Sequence, residues 1–411
     1  MQQQQAAPPL GGSIRLLVAF GVAYFLGVLY RTLNTVVGPE VAASLGLGVA
    51  EIGLITSAFF LPYALFQIPL GVLLDRYGPR NVEVVLLIVA ACGAIVFGLG
   101  QSAATLAFGR ALIGLGVSAC LMAAMTANAR WWPAERLALA NGTILAVGGL
   151  GAIAATAPVE AALHYTDWRS LFVVLAAMTV IAAAVLFLLV PRLPGRPHAE
   201  SWGSAFIGAL RIFKEPVFLQ VAPVTMLMQG SLHAYQGLWA AAWLRDVQGL
   251  DRVQTSVVLA FASSGIVFGT IGIGVIADRL ARRGVSVWTV AMVGSAGYLL
   301  VQLAIALRLP LPDAVLWGAF VLFGMSNTLY FAILTRAFPV QLAGRAVTAL
   351  NMTIFVGAFL LQWLVGVVVV ALVERGVPTA AAHVRILAAV LAMQALGLAW
   401  LVWSRLRSRT G

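Results

Sequence analysis

The chain has 411 residues, of which 62% are hydrophobic and 9% are charged, with a formal net charge of +11. Soluble domains carry about 25% charged residues, so this composition excludes an ordinary soluble globular protein. The basic excess does not indicate nucleic-acid binding either, because the arginines stand in short tufts between apolar runs rather than on one face.

Residues 1–13, MQQQQAAPPLGGS, read as a flexible polar tail. The apolar segment that follows is too long for a signal peptide and has no convincing cleavage site, so it reads as a retained first span. Apolar stretches long enough to cross about 30 Å of hydrocarbon then recur along the chain. They fall at 14–37, 52–74, 82–101, 104–128, 136–160 and 168–190, and again at 217–243, 254–277, 286–307, 314–335, 346–373 and 384–404. The fold class expected is an all-α polytopic membrane protein, with twelve transmembrane helices in two six-helix bundles at 14–190 and 217–404. Gly and Pro inside several spans do not argue against helix, since a membrane bundle tolerates them.

Residues 191–216 form the longest polar connection and include a weakly amphipathic piece around 202–213. They read as a cytoplasmic linker between halves, and 405–411 as a cytoplasmic tail. If the N-terminus is cytoplasmic, the loops on that side carry 17 arginines and lysines against 6 on the other. The positive-inside rule then places both termini in the cytoplasm of a bacterial-type inner membrane. Topology accounts for the basic excess, and the bilayer is the one macromolecular partner it implies. No nucleic-acid partner is expected, and the protein is read as a monomer.

Two loop motifs repeat at half the chain length. Gly71-Val-Leu-Leu-Asp75-Arg76-Tyr-Gly-Pro-Arg80 is echoed by Gly274-Val-Ile-Ala-Asp278-Arg279-Leu-Ala-Arg282-Arg283, with Gly, Asp, Arg and the final Arg recurring at an offset of 203. Arg130-Trp-Trp-Pro133 is echoed by Arg336-Ala-Phe-Pro339 at an offset of 206. Paired motifs of this kind imply duplicated six-helix units, as in parallel-repeat transporters.

The first of these loops resembles the most widespread motif of the major facilitator superfamily, with a degenerate second copy. Arg110-Ala-Leu-Ile-Gly114-Leu-Gly116 resembles that family's fourth-helix motif. The resemblance implies a secondary transporter working by alternating access. It assigns Gly71, Asp75, Arg76 and Arg80, with Gly274, Asp278, Arg279 and Arg283, to the conformational switch. It also implies that Asp75 faces the start of helix eleven and stabilises the outward-open state. Helix-end glycines permit close backbone approach, and charges at span ends can bridge elements that part during switching.

A charge inside the bilayer marks function by default. Arg31 in span one and Arg110 in span four qualify, whereas every carboxylate is expected at or near a span end. Cationic side chains without an anionic partner favour an anionic ligand. Tyr30-Arg31-Thr-Leu-Asn34 up to Pro39 is similar to the first helix of the anion:cation symporter branch, in which an arginine eight residues before a proline helps bind a carboxylate. That branch has Asp where this chain has Tyr30, and its Asn is shifted by one position here.

Span seven places Gln229, His233 and Gln236 on one helical face. There His233 can couple protons or donate to a substrate. Tyr63 and Gln67 in span two, Asn327 and Tyr330 in span ten, and Asn351 in span eleven complete the candidate substrate-binding set. Cys92 and Cys120 read as small packing residues. No nucleophile–base pair or metal-ligand cluster is evident, so no enzyme activity, cofactor or metal is expected. The function expected is proton-linked uptake of a small organic anion, and the alternative is export of drugs or metabolites.

Overall fold

A computed structural model describes residues 10–191, 203, 211–338 and 340–410. Most of the 191–216 connection, and with it the amphipathic piece, therefore lies outside the described residues, as do residues 1–9 and Pro339. All regular structure among the described residues is helical. Ten helices are long and apolar enough to cross a membrane, and an eleventh span is a pair, Val49–Leu65 and Gln67–Tyr77, bent by 51°. The twelfth is the segment Pro216–Asp246, whose apolar character is diluted by Gln220, Gln229 and His233.

Spans one to six pack into one bundle and spans seven to twelve into the other. The first helix begins at Leu10 and the last runs on to Thr410, so helix extends further at both ends than the expected tails.

Several spans are broken, and the breaks have a common cause. A Ser or Thr hydroxyl that bonds back to the carbonyl three or four residues earlier bends a helix. Span one breaks at Leu33, between Leu10–Thr32 and Asn34–Leu45, where Thr32 donates to Val28 O and Thr35 to Thr32 O. Span four, Ala103–Val117 and Cys120–Trp131, breaks where Ser118 donates to Leu115 O. Span five, Ala134–Ala154 and Ala157–Leu163, breaks where Thr156 donates to Ile153 O and Pro158 follows. In span ten, Ser326 and Thr328 donate to Phe323 O and Met325 O around a 3₁₀ turn, Met325–Thr328. Span seven instead carries a π turn over Tyr235–Trp239. These irregular turns lie deep in the bundles, where protein groups satisfy the freed backbone.

The two bundles cross at spans five and eight, where a Cβ on Gly149 would run into the Val267 side chain. On the side away from the termini the bundles stay joined. There Gly53 lies against the Gln362 carbonyl, and the Trp239 indole donates to the same oxygen at 3.0 Å. On the side of the termini they part. Gly142 and Gly274, each seven residues from the crossing, have nothing within 4 Å of a would-be Cβ, and the same holds for Gly71 and Gly344. The structure is closed on the far side and more open on the terminal side, where Gln67–Tyr77 of span two still packs against span eleven.

Candidate functional site

Arg31 sits on the last turn of the first helix before the Leu33 break, between the bundles. It is half-buried, and among the described residues no carboxylate lies within ion-pair distance of it. Tyr24, one heptad earlier on the same helix, and Tyr63 from span two lie within its electrostatic reach. His233 reaches it from span seven across the bundle interface.

Tyr63 and His233 belong to one ring cluster that joins the two bundles. His233 lies flat on Phe355 of span eleven, centroids 5.0 Å apart and planes 8° apart. Tyr63 meets Phe355 at 4.2 Å, and Phe60 stacks on it at 5.9 Å. Both bundles thus contribute to one aromatic wall beside one guanidinium. His233 Nδ1, Gln236 Nε2 and both amide atoms of Gln362 are buried without a protein hydrogen-bond partner. Buried polar atoms of this kind call for a ligand or water. Beyond them, Thr35 donates to the Gln236 carbonyl at 2.5 Å, within the π turn that closes the far side.

The structure thus brings together Arg31, Tyr63 and His233 from the candidate set, while Gln236 lines a small pocket beside Thr32, Thr35 and Thr156. The others go elsewhere. Asn34 donates to Thr56 Oγ1 at 3.1 Å inside its own bundle. Gln67 donates weakly to the Tyr63 and Ser118 carbonyls, and is fully buried. Asn327 and Tyr330 both bond Ser295 at 3.0 Å in the core of the second bundle. Gln229 is buried along span seven, and Asn351 is half-buried one turn before Phe355. Tyr24, Phe60 and Phe355 were not anticipated, although helical spacing carried the signal. Tyr24 is seven residues before Arg31, Phe60 three before Tyr63, and Phe355 four after Asn351.

Arg110 is fully buried; its NH1 donates to Tyr30 O at 2.8 Å, and its guanidinium lies 5.0 Å from the Phe59 ring centroid. It joins spans four, one and two rather than reaching the Arg31 site.

Glu83 lies near the end of span three, as expected; the helix starts at Pro79, so the side chain stands one turn inside it and is completely buried. Of the switch residues, Asp75 faces Arg130 of span four at 3.8 Å, and Asp278 pairs with Arg282 at 3.6 Å on the surface. Gly71 and Gly274 stand at the splayed side. Arg76, Arg80, Arg279 and Arg283 line the same side, and a cavity of about 570 Å³ opens beside Arg279, Arg282 and Arg283.

Twelve spans in two bundles, crossing at their middles and splayed at one face, are the architecture of a transporter. The sequence model of the Major Facilitator Superfamily matches residues 20–362. The chain belongs to the major facilitator superfamily. A probable sulfoacetate transporter of Cupriavidus necator is 27% identical over 347 residues, 78% of each chain. The cis,cis-muconate transport protein of Acinetobacter baylyi is 24% identical over 326 residues, 75% of this chain and 76% of that one. A probable L-galactonate transporter of Escherichia coli is 24% identical over 288 residues, 64% of this chain and 61% of that one.

Among solved structures, a bacterial homologue of the human lysosomal transporter Spinster, inward-facing and unoccupied, superposes with a TM-score of 0.74 at 18% identity. The match covers 97% of this chain and 98% of that one. The nucleoside transporter NupG superposes with a TM-score of 0.73 at 16% identity over 95% and 99% of the two chains. Both likenesses concern the fold. This superfamily member is a transporter and not an enzyme.

Proposed function

We propose that this transporter carries a small organic anion into the cell together with protons, by alternating access across a bacterial plasma membrane, with both termini cytoplasmic. The observation that carries the reading is Arg31, a guanidinium with no carboxylate within ion-pair distance among the described residues, and with Tyr63 and His233 of a ring cluster that joins the bundles within its electrostatic reach. A planar two-donor fork suits a carboxylate or sulfonate. His233 adds a polar ring atom without a protein partner, and Phe355, Phe60 and Tyr63 shield the anion's carbon skeleton. The relatives named for sulfoacetate, muconate and L-galactonate support the same ligand class.

In this reading the terminal side is cytoplasmic, and the structure is the inward-facing state. Return to the outward-facing state swings the bundles about the span five–span eight crossing. Asp75 and Gly71 would then meet the start of span eleven, as the switch assignment requires. Asp75→Asn should slow transport while sparing ligand affinity, because it biases one state and leaves the site alone.

The deciding experiment is uptake of labelled sulfoacetate, muconate and galactonate by proteoliposomes under an imposed inward proton gradient. Accumulation that rises with the gradient supports the reading. Accumulation of drugs or neutral solutes driven by an outward proton gradient in its place would move the protein to the exporter class.

A further inference from the structure

Glu83 is the acid in this fold that the transport site does not use. Its side chain is fully buried in span three, and neither carboxyl oxygen has a hydrogen-bond partner. Glu160, also buried, is held by Arg252, so the two acids differ in kind.

The groups facing Glu83 come from two neighbouring elements. The Cys120 thiol of span four stands beside it without reaching hydrogen-bond geometry, and Tyr63 of span two lies within electrostatic reach. Ala103–Val117, Trp168–Leu189 and Gln67–Tyr77 pack against the same span; their charged groups are Arg110, Arg169, Asp75 and Arg76, and none of these arginines pairs with the carboxyl among the described residues. Tyr63 in turn lies within reach of Arg31, and Cys120 within reach of Tyr24. The Cys120 sulfur lies against Gly27 of span one, one turn before Arg31, so Glu83 and Arg31 share the interior of the first bundle.

A bare carboxylate in such surroundings is costly, and a neutral acid far less so. Packing does not require the acid form, since an apolar residue would fill the space. Glu83 also lies one turn from the terminal-side end of its helix. An unpartnered acid buried in the bundle that holds Arg31, near that end of its helix, is placed to carry a proton.

We propose that Glu83 is the proton-carrying site of this transporter. It takes up one proton as the anion loads from the far side and releases that proton to water on the terminal side. The proposal rests on the proton-linked reading of the Arg31 site, and the two can fail separately.

Full-length wild type, Glu83→Gln and Glu83→Asp are reconstituted into proteoliposomes. Sulfoacetate, muconate and galactonate serve as probes, with melting in detergent as the control for folding. In wild type an inward proton gradient should raise accumulation several-fold. Glu83→Gln should lose that response, and Glu83→Asp should keep it. A gradient response that survives in folded Glu83→Gln overturns the Glu83 assignment alone. Wild type that accumulates an anion with no response to the gradient overturns the proton-linked reading, and Glu83 with it.

Infrared spectra of detergent-solubilised protein decide the matter if none of the three anions moves or Glu83→Gln does not fold. A carboxylic-acid C=O band that fades as pH rises, and that shifts in Glu83→Asp, supports the proposal. A Glu83 band that persists from acid to alkaline pH marks a permanently neutral packing residue and overturns it.

Discussion

Arg252 grips Glu160 through two donors on one edge of its guanidinium, Nε to Oε1 and NH2 to Oε2, each at 3.2 Å. The same NH2 reaches Glu40 at 3.5 Å. Glu40 and Glu160 belong to the first bundle and Arg252 begins span eight in the second, so this fork is a clasp across the closed face. Two-donor arginine pairs have more geometric definition than single contacts. The arginine side chain is 44% exposed, however, so solvent screens the pair and it contributes at most about 1 kcal/mol.

That modest energy is enough to bias two states of similar stability. Arg252→Ala should therefore populate the state open on the far face. Thr255, which lies behind the clasp and is 5% exposed, provides the probe. In a background without Cys92 and Cys120, Thr255→Cys should resist a hydrophilic maleimide, and adding Arg252→Ala should speed labelling several-fold. Identical labelling rates would remove the clasp from the closing of this face.

The glycines of the two faces should respond differently to the same small change. A Cβ on Gly114 would collide with the Phe59 carbonyl, so Gly114→Ala must push spans two and four apart. Overpacking of this kind typically costs about 1–3 kcal/mol, and melting in detergent should fall accordingly. A Cβ on Gly71 meets nothing within 4 Å in the present state, so Gly71→Ala should melt like wild type. It should nevertheless slow transport if that face closes during the cycle. Normal transport by Gly71→Ala would mean that Gly71 never comes into close contact.

Much of the fold was legible in the sequence, because lipid demands a repeated apolar length and the loop motifs repeat at half the chain length. The breaks within spans were less so. Ser118, Thr156 and Ser326 look like ordinary small polar residues until their hydroxyls are seen to bond backward. Span three starts at Pro79 rather than at 82, because the Asp75–Arg80 motif resembles a long loop although Pro79 already begins the next helix. Pro at a first helical position suits its missing N–H, and that signal was available. Asn327 and Tyr330 had the chemistry of a ligand site, but their partner Ser295 lies in a span that pattern reading treats as uniformly apolar. The clasp could not be foreseen, since Arg252 and Glu160 are 92 residues apart and each reads alone as a loop charge.

Sidedness has its own test. Cysteines placed in the 191–216 connection and after Arg405 should react only with reagents that reach the cytoplasm. The arginine count requires this, since loop Lys and Arg residues resist translocation. Labelling of either position by an impermeant reagent in intact cells would invert the protein, and the splayed face would then open outward.

The sharpest test concerns Arg31. If its guanidinium binds the substrate anion, Arg31→Lys keeps the charge but loses the planar pair of donors. Binding should weaken in Arg31→Lys and weaken further in Arg31→Ala, with both variants still folded. Removing one partner of a buried, hydrogen-bonded charge pair typically costs about 2–5 kcal/mol, or roughly 30- to several-thousand-fold in affinity. A different outcome follows if Arg31 merely extends its side chain toward headgroups at the membrane surface. Lysine would then substitute freely, and alanine would alter stability alone. The position of Arg31 beside Tyr24, Tyr63 and His233 argues for the first case, because those rings line the space between the bundles. Titrating sulfoacetate, muconate and galactonate into the three purified proteins, with melting temperature as the readout, separates the two. Equal affinities across the three would end the organic-anion reading.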